Sequence, residues 1–378
     1  MGIAVLGCGL VGGLIARDLA EGQGLDVLAV DAAAGPLEAL EEVPRIRTEM
    51  TDLGDAEEIR RVIEGAEVVV GAVPGRLGLA MLRTVIEAGK PIVDISFAPE
   101  NALTLDDEAK RAGVLAIIDA GVSPGLSNLA VGRAAWQMDA VEEVTIYVGG
   151  LPLTRVWPWE YRSVFSPTDV IEEYTRPARL VENGKVVTRP ALSEIEMIEV
   201  PGVGTLEAFN TDGLRSVMQT IDAPNMKEKT LRYPGHAERM RALRDAGFFS
   251  DEPVVIEGAR VRPRALTERL LFQAWERPHG EREMTFLRVD VSGMKEGHRK
   301  ALRYELHDET DMTTGDSSMA RTTGFPCSIL AGMVAAGQID RTGVVPLELL
   351  GGDPEIWDRL VGGLRARGVR LEEQTLVC

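Results

Sequence analysis

Over the first 120 residues, short apolar runs alternate with segments whose apolar positions recur at helical spacing. Ile3-Ala4-Val5-Leu6 and Val27-Leu28-Ala29-Val30 are unbroken apolar runs, and residues 67–72, 91–94 and 114–119 behave similarly. Runs this short, bounded by turns, read as strands buried on both faces. Residues 14–20, 37–42, 55–64, 77–88 and 107–112 read as helices, with a short strand over 45–50. In residues 55–64, Ile59, Val62 and Ile63 share one face among charges, and Gly89 suits a C-cap. Strand–helix alternation of this kind predicts an α/β, doubly wound parallel sheet of Rossmann type.

After residue 125 the rhythm changes. A helix is expected over 126–137. Residues 141–148, 194–200, 205–208, 283–291 and 300–307 then read as strands, several with alternating polarity and few helices between them. That pattern predicts a second, α+β domain with a mixed, mainly antiparallel sheet over residues 126–325. Helices are expected over 237–246 and 266–274. A C-terminal helical segment, 326–378, is expected to return to the first domain (1–125), with helices over 326–336 and 354–367 and a strand-like tail. No internal repeat or low-complexity stretch interrupts the chain.

The chemistry concentrates at the first turn. Gly7-Cys8-Gly9-Leu10-Val11-Gly12 follows a strand and opens a helix, and the next strand ends on Asp31. In a dinucleotide site the first glycine allows the tight turn and the second admits a pyrophosphate to bare backbone. The third permits close helix–strand packing, and the helix N-terminus faces the phosphates. Asp31 can accept hydrogen bonds from both ribose hydroxyls and would repel a 2′-phosphate. Ala32-Ala33-Ala34 offer no cation to offset it, so the expected cofactor is NAD. The alternative for Asp31 is simply the start of a turn. Asp52 is assigned a place beside the adenine, and Ala72, Val73 and Pro74 a place against the nicotinamide ribose. Asp94 and Asp119 end strands on the same expected edge, as ligand-facing acids or as turn and N-cap aspartates. Two acids there could raise one another's pKa toward that of a general base.

Charge and composition narrow the partners. The net charge of −18 argues against nucleic acid or an anionic membrane. No apolar run approaches the length of a membrane span. The first strand begins at the N-terminus, so no signal peptide is expected, and the expected compartment is the cytosol. Cys8, Cys327 and Cys378 suit neither a disulfide framework nor a zinc site, and no metal is expected.

Several longer motifs resemble the saccharopine dehydrogenase family. They are the run from Asp119 through Gly121-Val122-Ser123-Pro124-Gly125 to Asn128, Gly149-Gly150-Leu151-Pro152, and the pairs Ser166-Pro167 and Glu173-Tyr174. Asn210-Thr211-Asp212-Gly213-Leu214, the run from Lys229 to His236, and Thr322-Thr323-Gly324-Phe325-Pro326 are similar to its branch of NAD-dependent L-lysine 6-dehydrogenases. The resemblance implies a Rossmann domain completed by the C-terminal segment, and a mixed-sheet substrate domain that also serves homodimerisation. It further implies that saccharopine-forming relatives carry aspartate, cysteine and arginine where this chain has Ser123, Val148 and Thr211. Losing that arginine disfavours a substrate with three carboxylates against L-lysine with one.

The activity implied is oxidative deamination of L-lysine at its ε-amine. The amine, with a pKa near 10.4, must lose a proton to a base before hydride leaves. Water then displaces ammonia, and the aldehyde can cyclise to a piperideine carboxylate. Arg232 is the expected carboxylate anchor, because its planar fork binds bidentately, with Tyr233, Thr211, Tyr174 and Thr322 beside the substrate. Asp94 or Asp119 is the expected base, and Glu173 and Tyr174 are weaker candidates. His236 would relay a proton or cap the following helix; His279, His298 and His307 read as solvated. Thr322 and Thr323, before an expected proline-started helix, could bond the nicotinamide carboxamide or the substrate. Competing readings are a family enzyme acting on a secondary amine, such as saccharopine or a carboxyalkyl polyamine, and a non-catalytic NAD-binding protein.

Overall fold

A computed structural model describes residues 2–163, 167–278 and 280–377, apart from the side chains of 167–169. Ser166 of the Ser-Pro pair, His279 and Cys378 lie outside the described residues. Strands β1 (Gly2–Leu6), β2 (Asp26–Asp31), β3 (Ile46–Met50), β4 (Val68–Gly71), β5 (Ile92–Asp94) and β6 (Leu115–Ile118) form a parallel sheet. Gly343–Pro346 adds a seventh parallel strand beside β6, giving the order 343–346, β6, β5, β4, β1, β2, β3. The apolar runs reflect burial on both faces. Ile3, Val5, Val68 and Val70 belong to the core on one face, and Ala4, Leu6 and Val69 to the core on the other. Helix α1 (Leu10–Arg17) and helix Ser318–Ala335 cover the first face; Ala56–Ile63 and Gly75–Glu87 cover the second.

The second sheet has nine strands and is mixed, mainly antiparallel, as the alternating segments predict. Its central strand, Ala140–Pro152, runs parallel to Asn225–Arg232 and antiparallel to Glu283–Lys295. Helix Leu126–Trp136 leads into it. The apolar core of the first face continues through Leu126 and Leu129 to Val144, Leu287 and Tyr304, so the two sheets share one core.

Three features depart from the sequence expectation. Asn225–Arg232 is a strand almost wholly buried, where no strand was expected. Helix Ser318–Ala335 starts eight residues before Pro326 and holds that proline in its interior; the Ser317 side chain, accepting from Ala320 N–H, sets the true start. The C-terminal segment divides between the sheets. Gly343–Pro346 joins the parallel sheet, whereas the tail strand Leu371–Leu376 pairs with His298–Glu309 on the edge of the second.

Candidate active site

The carboxyl ends of β1, β2 and β4 open onto a cleft of about 670 Å³, and the second sheet forms its far wall. The glycine turn shows which of its residues the fold needs. Gly7 has φ +93°, and a Cβ there would sit 2.4 Å from the Ala72 carbonyl oxygen; on Gly12 it would sit 1.9 Å from the Gly7 carbonyl oxygen. Gly9 differs. Its φ is −62°, and no atom lies within 4 Å of where its Cβ would be. The fold makes no demand for a bare backbone there, but a pyrophosphate approaching the N-terminus of α1 would. The residues therefore fit a dinucleotide.

Asp31 reaches the same cleft from the end of β2. Its Oδ2 accepts from Cys8 N–H at 2.7 Å and its Oδ1 from Ala33 N–H at 2.9 Å, which fixes the carboxylate in place. Leu10, Val11, Asp52, Ala72, Val73 and Pro74 also line the cleft, with Asp52 held by Gly54 N–H. Cys8 serves only through its backbone. Its thiol lies in the core near the Val30 carbonyl, and burial, with Asp31 nearby, pushes it up to about 12. A cofactor at the turn would therefore meet Cys8 through its backbone and not its thiol.

The strand-end acids do not line the cleft. Asp119 is 5% exposed, and both its oxygens accept from Arg215 at 3.1 Å, a buried bidentate pair. Asp94 is equally buried, with Oδ1 accepting from Ser96 N–H at 3.0 Å. Burial, with a smaller contribution from Asp119, lifts Asp94 to about 7. Sequence spacing put them on the right edge, but packing turned both inward.

The far wall is organised by Asn225–Arg232. Alternation along this strand points Glu228, Thr230 and Arg232 into the cleft, while Leu231 joins the apolar core behind it and Lys229 pairs with Glu196. Arg232 is 2% exposed. It donates from Nη1 to the Leu231 carbonyl at 2.8 Å and from Nη2 to Glu173, stacks over the Tyr161 ring, and leaves Nε without a hydrogen-bond partner among the described residues. Thr211, also on the wall, donates to Glu228 Oε2 at 2.6 Å and lies 2.9 Å from the Thr230 hydroxyl. Gly213 N–H donates to the same Glu228 oxygen at 3.1 Å. Burial foremost, then Glu173 and Asp212, raises Glu228 to about 8.

Other expected substrate contacts fall behind this wall. His236 is 1% exposed, in an aromatic cluster, with Nε2 2.9 Å from Tyr174 Oη and Nδ1 3.1 Å from the Trp159 carbonyl. Burial, reinforced by Arg232, lowers it to about 3, so it stays neutral and does not relay protons near pH 7. Gly235 occupies the helix cap that His236 might have filled. Tyr174 is fully buried and shares its hydroxyl between His236 and the Arg232 guanidinium. Tyr233 donates to the Pro152 carbonyl at 2.9 Å and sits under Arg155. Thr322 bonds back to the Ser318 carbonyl inside its helix, and its neighbour Thr323 lines the cleft instead.

Glu228 and Thr230 escape sequence reasoning. The available signal was the pattern Glu-x-Thr-x-Arg, polar residues at period two ahead of a turn, which a charged run disguises. Among the described residues no helix is long and apolar enough to cross a membrane, and no group of three or more His, Cys, Asp or Glu could hold a metal ion.

Comparison with known proteins agrees with this geometry. The family model for the saccharopine dehydrogenase NADP binding domain matches residues 3–117, and that for the saccharopine dehydrogenase C-terminal domain matches 121–369. Alpha-aminoadipic semialdehyde synthase of Arabidopsis thaliana is 25% identical over 70% of this chain, which spans only 27% of that protein. Saccharopine dehydrogenase (NADP(+), L-glutamate-forming) of Schizosaccharomyces pombe is 22% identical, covering 88% of this chain and 90% of its own. Carboxynorspermidine synthase of Vibrio cholerae is 21% identical, covering 94% and 93%. Apo saccharopine dehydrogenase (L-Glu forming) from Saccharomyces cerevisiae superposes with a TM-score of 0.82 at 20% identity, over all of both chains, and so shares the fold. The two domain matches fall on the two sheets whose edges make the cleft, and the chain belongs to the saccharopine dehydrogenase family of oxidoreductases, with an NAD(P)-binding domain.

Proposed function

We propose that the chain oxidises an amine-bearing carbon of a basic amino acid, with NAD as the acceptor and the ε-carbon of L-lysine as the group oxidised. The observation that carries this reading is the pairing of Arg232 and Glu228 on one face of one strand, across the cleft from the glycine turn. Such a wall suits a ligand with one carboxylate and one cationic amine.

The charge balance of the wall supports a basic substrate. Asp212 is held bidentately by Arg179, Glu172 by Arg264 and Arg176, and Glu173 by Arg232. Glu228 has no cationic partner among the described residues. Saccharopine would bring three carboxylates to a wall whose two arginines, Arg176 and Arg232, already face glutamates.

When bound, NAD supplies a hydride acceptor. The overall change would convert lysine, NAD⁺ and water to the aldehyde, NADH, ammonium and one proton. The chain's own contributions are positional. Gly9 and the N-terminus of α1 would receive the pyrophosphate, and Asp31 the adenosine ribose hydroxyls, which supports NAD over NADP. Arg232, whose Nε has no hydrogen-bond partner among the described residues, would anchor the substrate carboxylate.

A second reading, oxidation of a secondary amine, draws support from the relatives named for saccharopine and carboxynorspermidine. The test is NADH or NADPH formation at 340 nm with lysine, saccharopine and carboxynorspermidine, each with NAD and NADP. Turnover of lysine with NAD as the best pair is the expected result. Reaction of a secondary amine with silence on lysine would install the second reading, and inertness toward all three would refute both.

A further inference from the structure

The amine must lose a proton before hydride can leave, and the strand-end aspartates are placed badly for that task. Asp119 is locked to Arg215, and Asp94 is buried off the cleft. Of the four carboxylates on the far wall, Asp212, Glu172 and Glu173 each face an arginine. Glu228 alone is turned to the cleft with no cationic partner among the described residues.

We propose that Glu228 is the proton acceptor of the reaction, its Oε1 taking the proton of the substrate ammonium while Thr211 and Gly213 hold Oε2. This rests on the amine-oxidising reading above. In the step, an N–H bond of the ammonium breaks and its electron pair remains on nitrogen. The proton bonds to Oε1, leaving a neutral amine and a neutral carboxylic acid.

The geometry is suited to the role. Among the described residues both hydrogen bonds to the carboxyl, from Thr211 at 2.6 Å and from Gly213 N–H at 3.1 Å, converge on Oε2, so the side chain is oriented while Oε1 has no described partner. A Cβ on Gly213 would lie 2.5 Å from the Glu228 carboxyl carbon, so a side chain there would displace the carboxyl from its present position. Thr230 sits 2.9 Å from Thr211 and can donate to it, extending the chain of hydroxyls along the wall. The charged groups facing Glu228 are Glu173 from the helix above, Asp212 (held by Arg179) from the adjoining loop, and Arg232 on its own strand. Burial first, then the two acids, brings the carboxyl to about 8. Against an ammonium near 10.4, proton transfer is then uphill by a factor of about 10² to 10³ rather than nearly 10⁶ for an ordinary carboxylate.

The test compares Glu228→Gln with the wild type. Glutamine keeps the acceptor for Thr211 and Gly213 but cannot take the proton. At pH 7, kcat/KM for lysine should fall about 100-fold or more, with NADH affinity unchanged by fluorescence titration. The deficit should shrink above about pH 10, where the free amine is already neutral. The wild-type rate should also lose activity below about pH 8, and the variant should lack that limb. Infrared difference spectra should show a protonated carboxyl band in the wild type at pH 6 that is absent from the variant. Wild-type turnover of lysine with a superimposable Glu228→Gln pH profile would overturn this proposal alone. Wild-type inertness toward every amine would overturn the oxidoreductase reading and the proposal together.

Discussion

Gly9 and Gly12 belong to one motif but should fail in different ways when given a methyl group. In Gly12→Ala the new Cβ would overlap the Gly7 carbonyl oxygen at 1.9 Å, so the turn must open and the protein must lose stability. In Gly9→Ala the Cβ meets nothing within 4 Å, and φ of −62° is ordinary for alanine. Alanine is a poorer N-cap than glycine by about 0.5–1 kcal/mol, and its stiffer unfolded chain returns about 0.4–1 kcal/mol. Folding stability should therefore barely change. With the dinucleotide placed as proposed, the methyl instead occupies the approach of the pyrophosphate. Loss of one charged hydrogen bond to a backbone N–H, about 1.5–3 kcal/mol, corresponds to a weakening of roughly 10- to 150-fold. Thermal unfolding by circular dichroism reads the first quantity, and NADH titration by fluorescence reads the second. A Gly9→Ala protein that melts like the wild type and binds NADH equally well would refute the placement of the dinucleotide.

Other substitutions separate the remaining roles. Asp31→Arg should weaken NAD and improve NADP, measured as the ratio of kcat/KM values; an unchanged ratio would show that Asp31 does not meet the ribose. Asp119→Asn should destabilise by about 3–5 kcal/mol, because Arg215 is left charged and buried; intact stability with lost kcat in steady-state assays would restore Asp119 as the base. Arg232→Lys keeps a charge opposite Glu173 but loses the planar fork, so KM for lysine should rise about tenfold or more with NADH affinity retained. His236, held near 3 when folded and near 6.5 when unfolded, gives stability that is whole above about pH 6.5 and declines as pH falls toward 3. In His236→Gln, urea midpoints at pH 7 and pH 4.5 should lie closer together than in the wild type.

The dinucleotide half of the cleft was legible because its determinants are local. A tight turn needs Gly7, close packing needs Gly12, and a carboxylate one strand away needs only the strand–helix–strand order to reach the same edge. The far wall was not, because its residues meet only through sheet pairing. Arg232 was recognisable as a cleft residue, but its partner Glu173 comes from a helix 59 positions earlier. Glu228 is held by Thr211 from 17 positions earlier. Tyr233, His236 and Thr322 sit in the same motifs as true wall residues and differ from them only in the direction their side chains take.

Local periodicity, glycine sterics and strand-end acids, each a property of a few consecutive residues, were enough to specify the parallel sheet and its nucleotide edge. Which acids stay charged, which are neutralised by arginine and which face the cleft depended on chain segments brought together only by folding. Burial and charge pairing act through space, and those distances exist only in the tertiary structure.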